Sequence, residues 1–193
     1  MKIPKKILPS STFAAGPAQG LEAVRKTNLK DTMFERRHRT AFITENLYKK
    51  TALNLKKLFN LPQNYLVIFF PGGATAAMDA VAWTLNEGQV AGLNLGAFSK
   101  LWNDKICRSL PQKVKKEFVD FDYKNPSSAK RLNSKTSLVL LTPNETSNGI
   151  ALPDSLLKSI YKEKGANTLI AWDATSCAGA RVLPKCFDIM LFG

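Results

Sequence analysis

The chain has 193 residues, 45% of them apolar, with 28 basic residues against 15 acidic ones and a formal charge of +13. That length supplies one sizeable core rather than two, and no apolar run approaches the roughly 20 residues that cross a bilayer, so a folded protein with no membrane span is expected. A single histidine, His38, and three well-separated cysteines, Cys107, Cys177 and Cys186, exclude a multi-imidazole metal centre, a paired-cysteine zinc site and a disulfide framework.

Met1-Lys2-Ile3-Pro4-Lys5-Lys6 is basic, but Pro9, Ser10, Ser11 and Thr12 stand where a secretory signal carries its apolar stretch, so a cytoplasmic location is expected. An amphipathic helix is expected over 41–60, where Tyr48, Ala52, Leu55 and Phe59 recur at helical spacing between lysines; Pro62 closes it. Tyr65-Leu66-Val67-Ile68-Phe69-Phe70 reads as a continuous buried strand, broken by Pro71-Gly72-Gly73. A second helix follows from about Ala74 to Leu85, then a short apolar stretch from Val90 to Leu95 and a helix from Ala97 to about Ser109. Glu117 to Phe121 alternates like a strand. Ser137 to Leu141 is a strand, Pro153 to Lys164 a helix, Thr168 to Trp172 a strand, and Ile189 to Phe192 the start of another. Strands alternating with helices of about a dozen residues predict an α/β fold with a mostly parallel sheet flanked by helices.

In such a sheet ligands bind beyond the carboxyl ends of the strands. Three places match that address. Gly72-Gly73-Ala74-Thr75 joins an expected strand to a helix, and two glycines let the first helical N–H groups face an anion such as phosphate; a plain turn is the alternative. Asp173 follows Leu169-Ile170-Ala171-Trp172. A carboxylate there needs a cation, such as a protonated ring nitrogen, or a helix start to cap. Thr142 to Gly149 places polar side chains after a third apolar strand, either as a turn or as part of the same site.

These segments, in this order, resemble the phosphoserine aminotransferase family, class V among the fold type I pyridoxal-phosphate enzymes. Phe13-Ala14-Ala15-Gly16-Pro17-Ala18 is similar to the family's F-x-x-G-P-A opening, and His38-Arg39 to its S-H-R motif. Leu61-Pro62 through Tyr65 with Gly72-Gly73-Ala74-Thr75, Gly96-Ala97-Phe98-Ser99, Asn144-Glu145-Thr146 with Gly149, and Asp173-Ala174-Thr175-Ser176 continue the match. The resemblance implies pyridoxal 5'-phosphate as cofactor. Backbone amides of Ala74 and Thr75 would hold its phosphate, Phe98 would stack on its ring, Thr146 would hydrogen-bond it, and Asp173 would pair with the ring nitrogen. His38 and Arg39 would bind the substrate's phosphate or carboxylate at a dimer interface.

It further implies a homodimer acting on phosphoserine, glutamate and their keto acids in serine biosynthesis. Residues 1–40 would form an N-terminal arm and 41–193 an incomplete cofactor-binding large domain, without the C-terminal part and small domain. The family's Schiff-base lysine follows the F-G that stands here as Phe192-Gly193. Lys185 precedes the last strand, so the 193 residues alone are expected to be inactive. Ala15 replaces a common serine, Arg37 replaces the serine of S-H-R, and Thr75 stands where one branch has arginine; these bear on substrate binding more than on the fold. Another class V transaminase is the nearest competing activity. A basic nucleic-acid-binding domain would explain the charge, but the lysines are scattered from Lys2 to Lys185 and carry no nucleic-acid motif, as a solvated surface would.

Overall fold

A computed structural model describes residues 42–126, 129 and 135–193, with side chains from Glu45 onward. The expected opening motif, His38 and Arg39 lie outside the described residues. By spatial grouping the chain divides into two units, 1–53 and 54–193. In the first, the helix expected over 41–60 begins with a wide π pitch at Phe42–Lys49, where Lys49 and Glu45 pair at 2.7 Å. It continues at ordinary pitch as α1 (Lys50–Leu58), and Pro62 lies just beyond its end.

The second unit holds β1 (Gln89–Asn94), β2 (Lys115–Asp120), β3 (Thr136–Leu141), β4 (Leu169–Asp173) and β5 (Ile189–Leu191) in one sheet of order β2-β1-β3-β4-β5. Every pairing is parallel, as the alternation of strands and helices predicts. The helices are α2 (Gly73–Ala82), α3 (Ala97–Ser109) and α4 (Asp154–Glu163).

The near-continuous apolar runs of β3 and β4 follow from burial on both faces. Val139, Leu141, Ile170 and Trp172 pack on one side against Leu156, Leu157 and Ile160 of α4. Leu138, Leu140 and Ala171 face the other way, toward Met78, Val81 and Ala82 of α2 and Trp102 and Ile106 of α3. Successive side chains of a strand point to opposite faces, so two helical layers sandwich the sheet. All loops that follow strands therefore open at one edge.

The run 65–70 departs from the sequence expectation. It is not a strand, and its apolar side chains are not buried: Leu66 is 83% and Ile68 76% exposed, with Phe69 and Phe70 also at the surface. Its ends are fastened. Tyr65 Oη donates to the Phe187 carbonyl at 2.6 Å just before β5, and Gly73 at the far end meets Gly193 just after β5. The run thus spans the length of β5, but β5 pairs only with β4 among the described residues. Among the described residues the run pairs in no ladder, and with Leu66, Ile68, Phe69 and Phe70 at the surface its apolarity alone does not make it a strand.

Candidate functional site

Two helices start at the carboxyl edge of the sheet, and their first turns are satisfied differently. Gly72 precedes α2 in the left-handed region, φ 104°, where a side chain is strained, and among the described residues no side chain caps the helix. Ala74 is half-buried and Thr75 exposed in that first turn. Gly193 approaches closely enough that a Cβ on it would lie 2.8 Å from the Ala74 nitrogen, which puts the start of α2 beside the end of β5. Uncapped amides with the positive end of the helix dipole behind them favour an anion.

The start of α3 is already filled. Gly96 offers no side chain, and the acceptors come from a turn 46 and 47 residues away. Glu145, fully buried, accepts from the Phe98 N–H at 3.2 Å and the Ser99 N–H at 2.8 Å, while Ser147 Oγ accepts from the Ala97 N–H at 2.9 Å. Glu145 also accepts from the hydroxyl and N–H of Ser147. Asn148 Nδ2 donates to the Leu95 carbonyl at 2.6 Å, so the turn and the helix start are laced together. A bound carboxylate leaves this helix start no amides for another anion. Phe98 is 48% exposed, and Thr146 is exposed at the tip of the turn.

Asp173 closes β4 with 6% exposure. Its Oδ1 accepts from both the N–H and the hydroxyl of Thr175, at 3.1 and 2.7 Å, so it does cap the turn that follows it. Thr142 lies alongside, one residue beyond the Leu141–Trp172 pair; it is 3% exposed and its hydroxyl has no partner among the described residues. Ser176 Oγ donates to the Asn144 carbonyl and accepts from Asn144 Nδ2, which joins this loop to the Glu145 turn.

Ala74, Thr75, Phe98, Thr146 and Asp173 therefore stand on loops and helix starts of one sheet edge. Gly73 and Asp173 lie at the same end: Asp173 is in register with Leu191, two residues before Gly193. The sequence places Glu145 inside the Asn144-Glu145-Thr146 motif but gives it no role of its own. The available signal was Gly96 itself, since a helix start without a capping side chain must find its acceptors elsewhere.

No family profile matches the chain. Among curated proteins it is 33% identical to one from Mycobacterium leprae named provisionally as a phosphoserine aminotransferase, over 93% of this chain and 46% of that protein. It is 31% identical to the phosphoserine aminotransferase of Legionella pneumophila, over 86% of this chain and 47% of the relative. The chain thus spans about half the length of the curated relatives it matches. A phosphoserine aminotransferase structure from Cytophaga hutchinsonii superimposes with a TM-score of 0.72 at 27% identity, covering 88% of this chain and 47% of that one. The fold alone is shared with a variant of C-DES solved with glycine covalently linked to its pyridoxal-phosphate cofactor, at a TM-score of 0.59 and 16% identity, covering 82% of this chain and 45% of that one.

Proposed function

We propose that this relative of the phosphoserine aminotransferases, which has the large-domain fold of the fold type I pyridoxal-phosphate enzymes, forms the cofactor-holding half of a phosphoserine transaminase. The observation that carries the proposal is an uncapped helix start and a buried carboxylate at one edge of a parallel sheet. The residues suit the cofactor. The amides of Ala74 and Thr75 match a phosphate, Asp173 matches a protonated ring nitrogen, and the Thr142 hydroxyl, without a partner among the described residues, leaves a hydrogen-bonding group beside it.

Pyridoxal phosphate, when bound, supplies the electron sink that lets an amino acid's α-carbon lose its proton. The chain's own part is positional and electrostatic. With the cofactor bound, Asp173 would keep a proton on the ring nitrogen, Phe98 would cover one face of the ring, and Thr146 would donate a hydrogen bond to it. His38 and Arg39 hold the substrate's phosphate or carboxylate, a task for which the guanidinium fork is suited. The amino group moves between glutamate and 3-phosphohydroxypyruvate in two half-reactions. The complete enzyme acts as a cytoplasmic homodimer in serine biosynthesis.

These 193 residues by themselves are not expected to transaminate, because none of their lysines stands where the family carries the lysine that bears the cofactor; Lys185 precedes β5. Borohydride treatment of the chain with pyridoxal phosphate is expected to spread label over several surface lysines. One lysine labelled stoichiometrically would show that the chain bears its cofactor unaided. Adding the remaining half of a family member, in cis or as a second chain, is expected to restore phosphoserine transamination. In that protein Asp173→Asn should lower kcat far more than it changes KM, since the ring proton matters most in the transition state. Arg39→Ala should chiefly raise KM for the phosphorylated substrate. Near-normal turnover with Asp173→Asn would remove Asp173 from the mechanism.

A further inference from the structure

Phe98 and Thr146 belong to segments far apart in sequence, yet one side chain fixes both. The Phe98 N–H is itself a donor to Glu145, and Thr146 sits between Glu145 and Ser147, whose side chains bond each other at 2.7 Å. Gly96 lets the turn press this close: a Cβ there would lie 2.5 Å from Ser147 Oγ and 2.7 Å from Glu145 Cγ. Four donors converge on the two carboxylate oxygens. Only a carboxylate meets them all. An amide would replace one acceptor with an NH2 aimed at amides that also donate.

We propose that Glu145 is a positioning residue of the cofactor site, setting Phe98 and Thr146 in fixed relation without itself touching the ligand. The proposal rests on the functional assignment above. Its physical content is that a stacking ring gains affinity only when held in place beforehand, so that its ordering is not charged against binding. Without Glu145 the first turn of α3 keeps its sequence but loses two of its acceptors, and Phe98 no longer has a set position over the site.

Pyridoxamine 5'-phosphate is the suitable probe, because its amine cannot condense with the chain's lysines. It would be titrated into the wild-type chain, Phe98→Ala, Glu145→Gln and the double variant, following the circular dichroism of the bound ligand. The temperature is one at which far-ultraviolet spectra show every variant folded. Each single variant is expected to weaken binding about tenfold, and the double variant by about the same factor, because anchor and ring form a single interaction. The induced signal at saturation should fall in Glu145→Gln to the level of Phe98→Ala. Losses that multiply to about a hundredfold, or unchanged affinity in Glu145→Gln, would overturn the positioning role. Should Glu145→Gln not fold, Ser147→Ala, which removes the hydroxyl between Glu145 and the Ala97 N–H, takes its place with the same non-additive outcome expected. A wild-type chain with no saturable binding would sink the cofactor assignment and this proposal together. Multiplying losses on a wild type that binds would sink the positioning role alone.

Discussion

Burial pushes the Glu145 carboxyl up, toward the neutral acid, but the N–H of Ser99, the hydroxyl and N–H of Ser147 and the N–H of Phe98 outweigh it and hold the group below its ordinary range. A carboxyl with a lower pKa folded than unfolded adds stability that is complete above the unfolded value and is lost as pH falls through the folded one. The wild-type chain should therefore lose urea resistance from about pH 4 downward, and Glu145→Gln should show a shallower fall across that window. Equal slopes in the two proteins would mean that Glu145 is not the linked group. Gly96 tests the same junction by contact. Its φ of −177° is open to any residue, so Gly96→Ala is expected to cost about 1–3 kcal/mol through crowding alone, read from the urea midpoint. At this scale the sequence is uneven as a guide. Asp173 is conspicuous because a carboxylate directly follows an apolar strand. Glu145 looks like any polar turn residue, because its partners are nearly 50 positions away and only the folded chain brings them together.

Elements covered by the layers of the sheet are the most legible in the sequence, and an apolar run left at the surface is the least. The expected helix from Ala97 to Ser109 is found at those bounds, and β3, α4 and β4 fall within a residue of their expected spans. Their apolar periodicity matches the layers that cover them. Leu157 of α4, fully buried beneath the sheet, shows what such a layer contributes: Leu157→Ala should cost about 2–5 kcal/mol with the dependence on urea concentration unchanged. The run 65–70 is as apolar as any of these strands, yet hydrophobicity states only a tendency to be covered, and cover depends on what lies alongside. The stripe Tyr48, Ala52, Leu55 and Phe59 was similarly legible as a helix. It gave no hint of the π pitch of Phe42–Lys49, which is a hydrogen-bonding detail rather than a matter of apolar spacing.

The sheet has two margins of opposite character. At β2 the outer strand begins Lys115-Lys116-Glu117 with both lysines exposed, the kind of charged edge that discourages another strand from adding. At β5 the outer strand is Ile189-Met190-Leu191, and the exposed run with Leu66 and Ile68 lies along its length. Among the described residues this margin carries exposed apolar side chains, and those reward association with another apolar surface. A charge of +13 opposes the approach of a second copy, but that repulsion fades beyond about 10 Å in 0.1 M salt. Light scattering should therefore show the chain dispersed at low ionic strength and associating as salt is raised. Leu66→Lys combined with Ile68→Lys should suppress the growth, and association that weakens with salt would place its origin in charge rather than in this margin. The lysines scattered over the surface then act as a colloidal barrier, and the amount of this chain that stays in solution is set by its counterions as much as by its folding free energy.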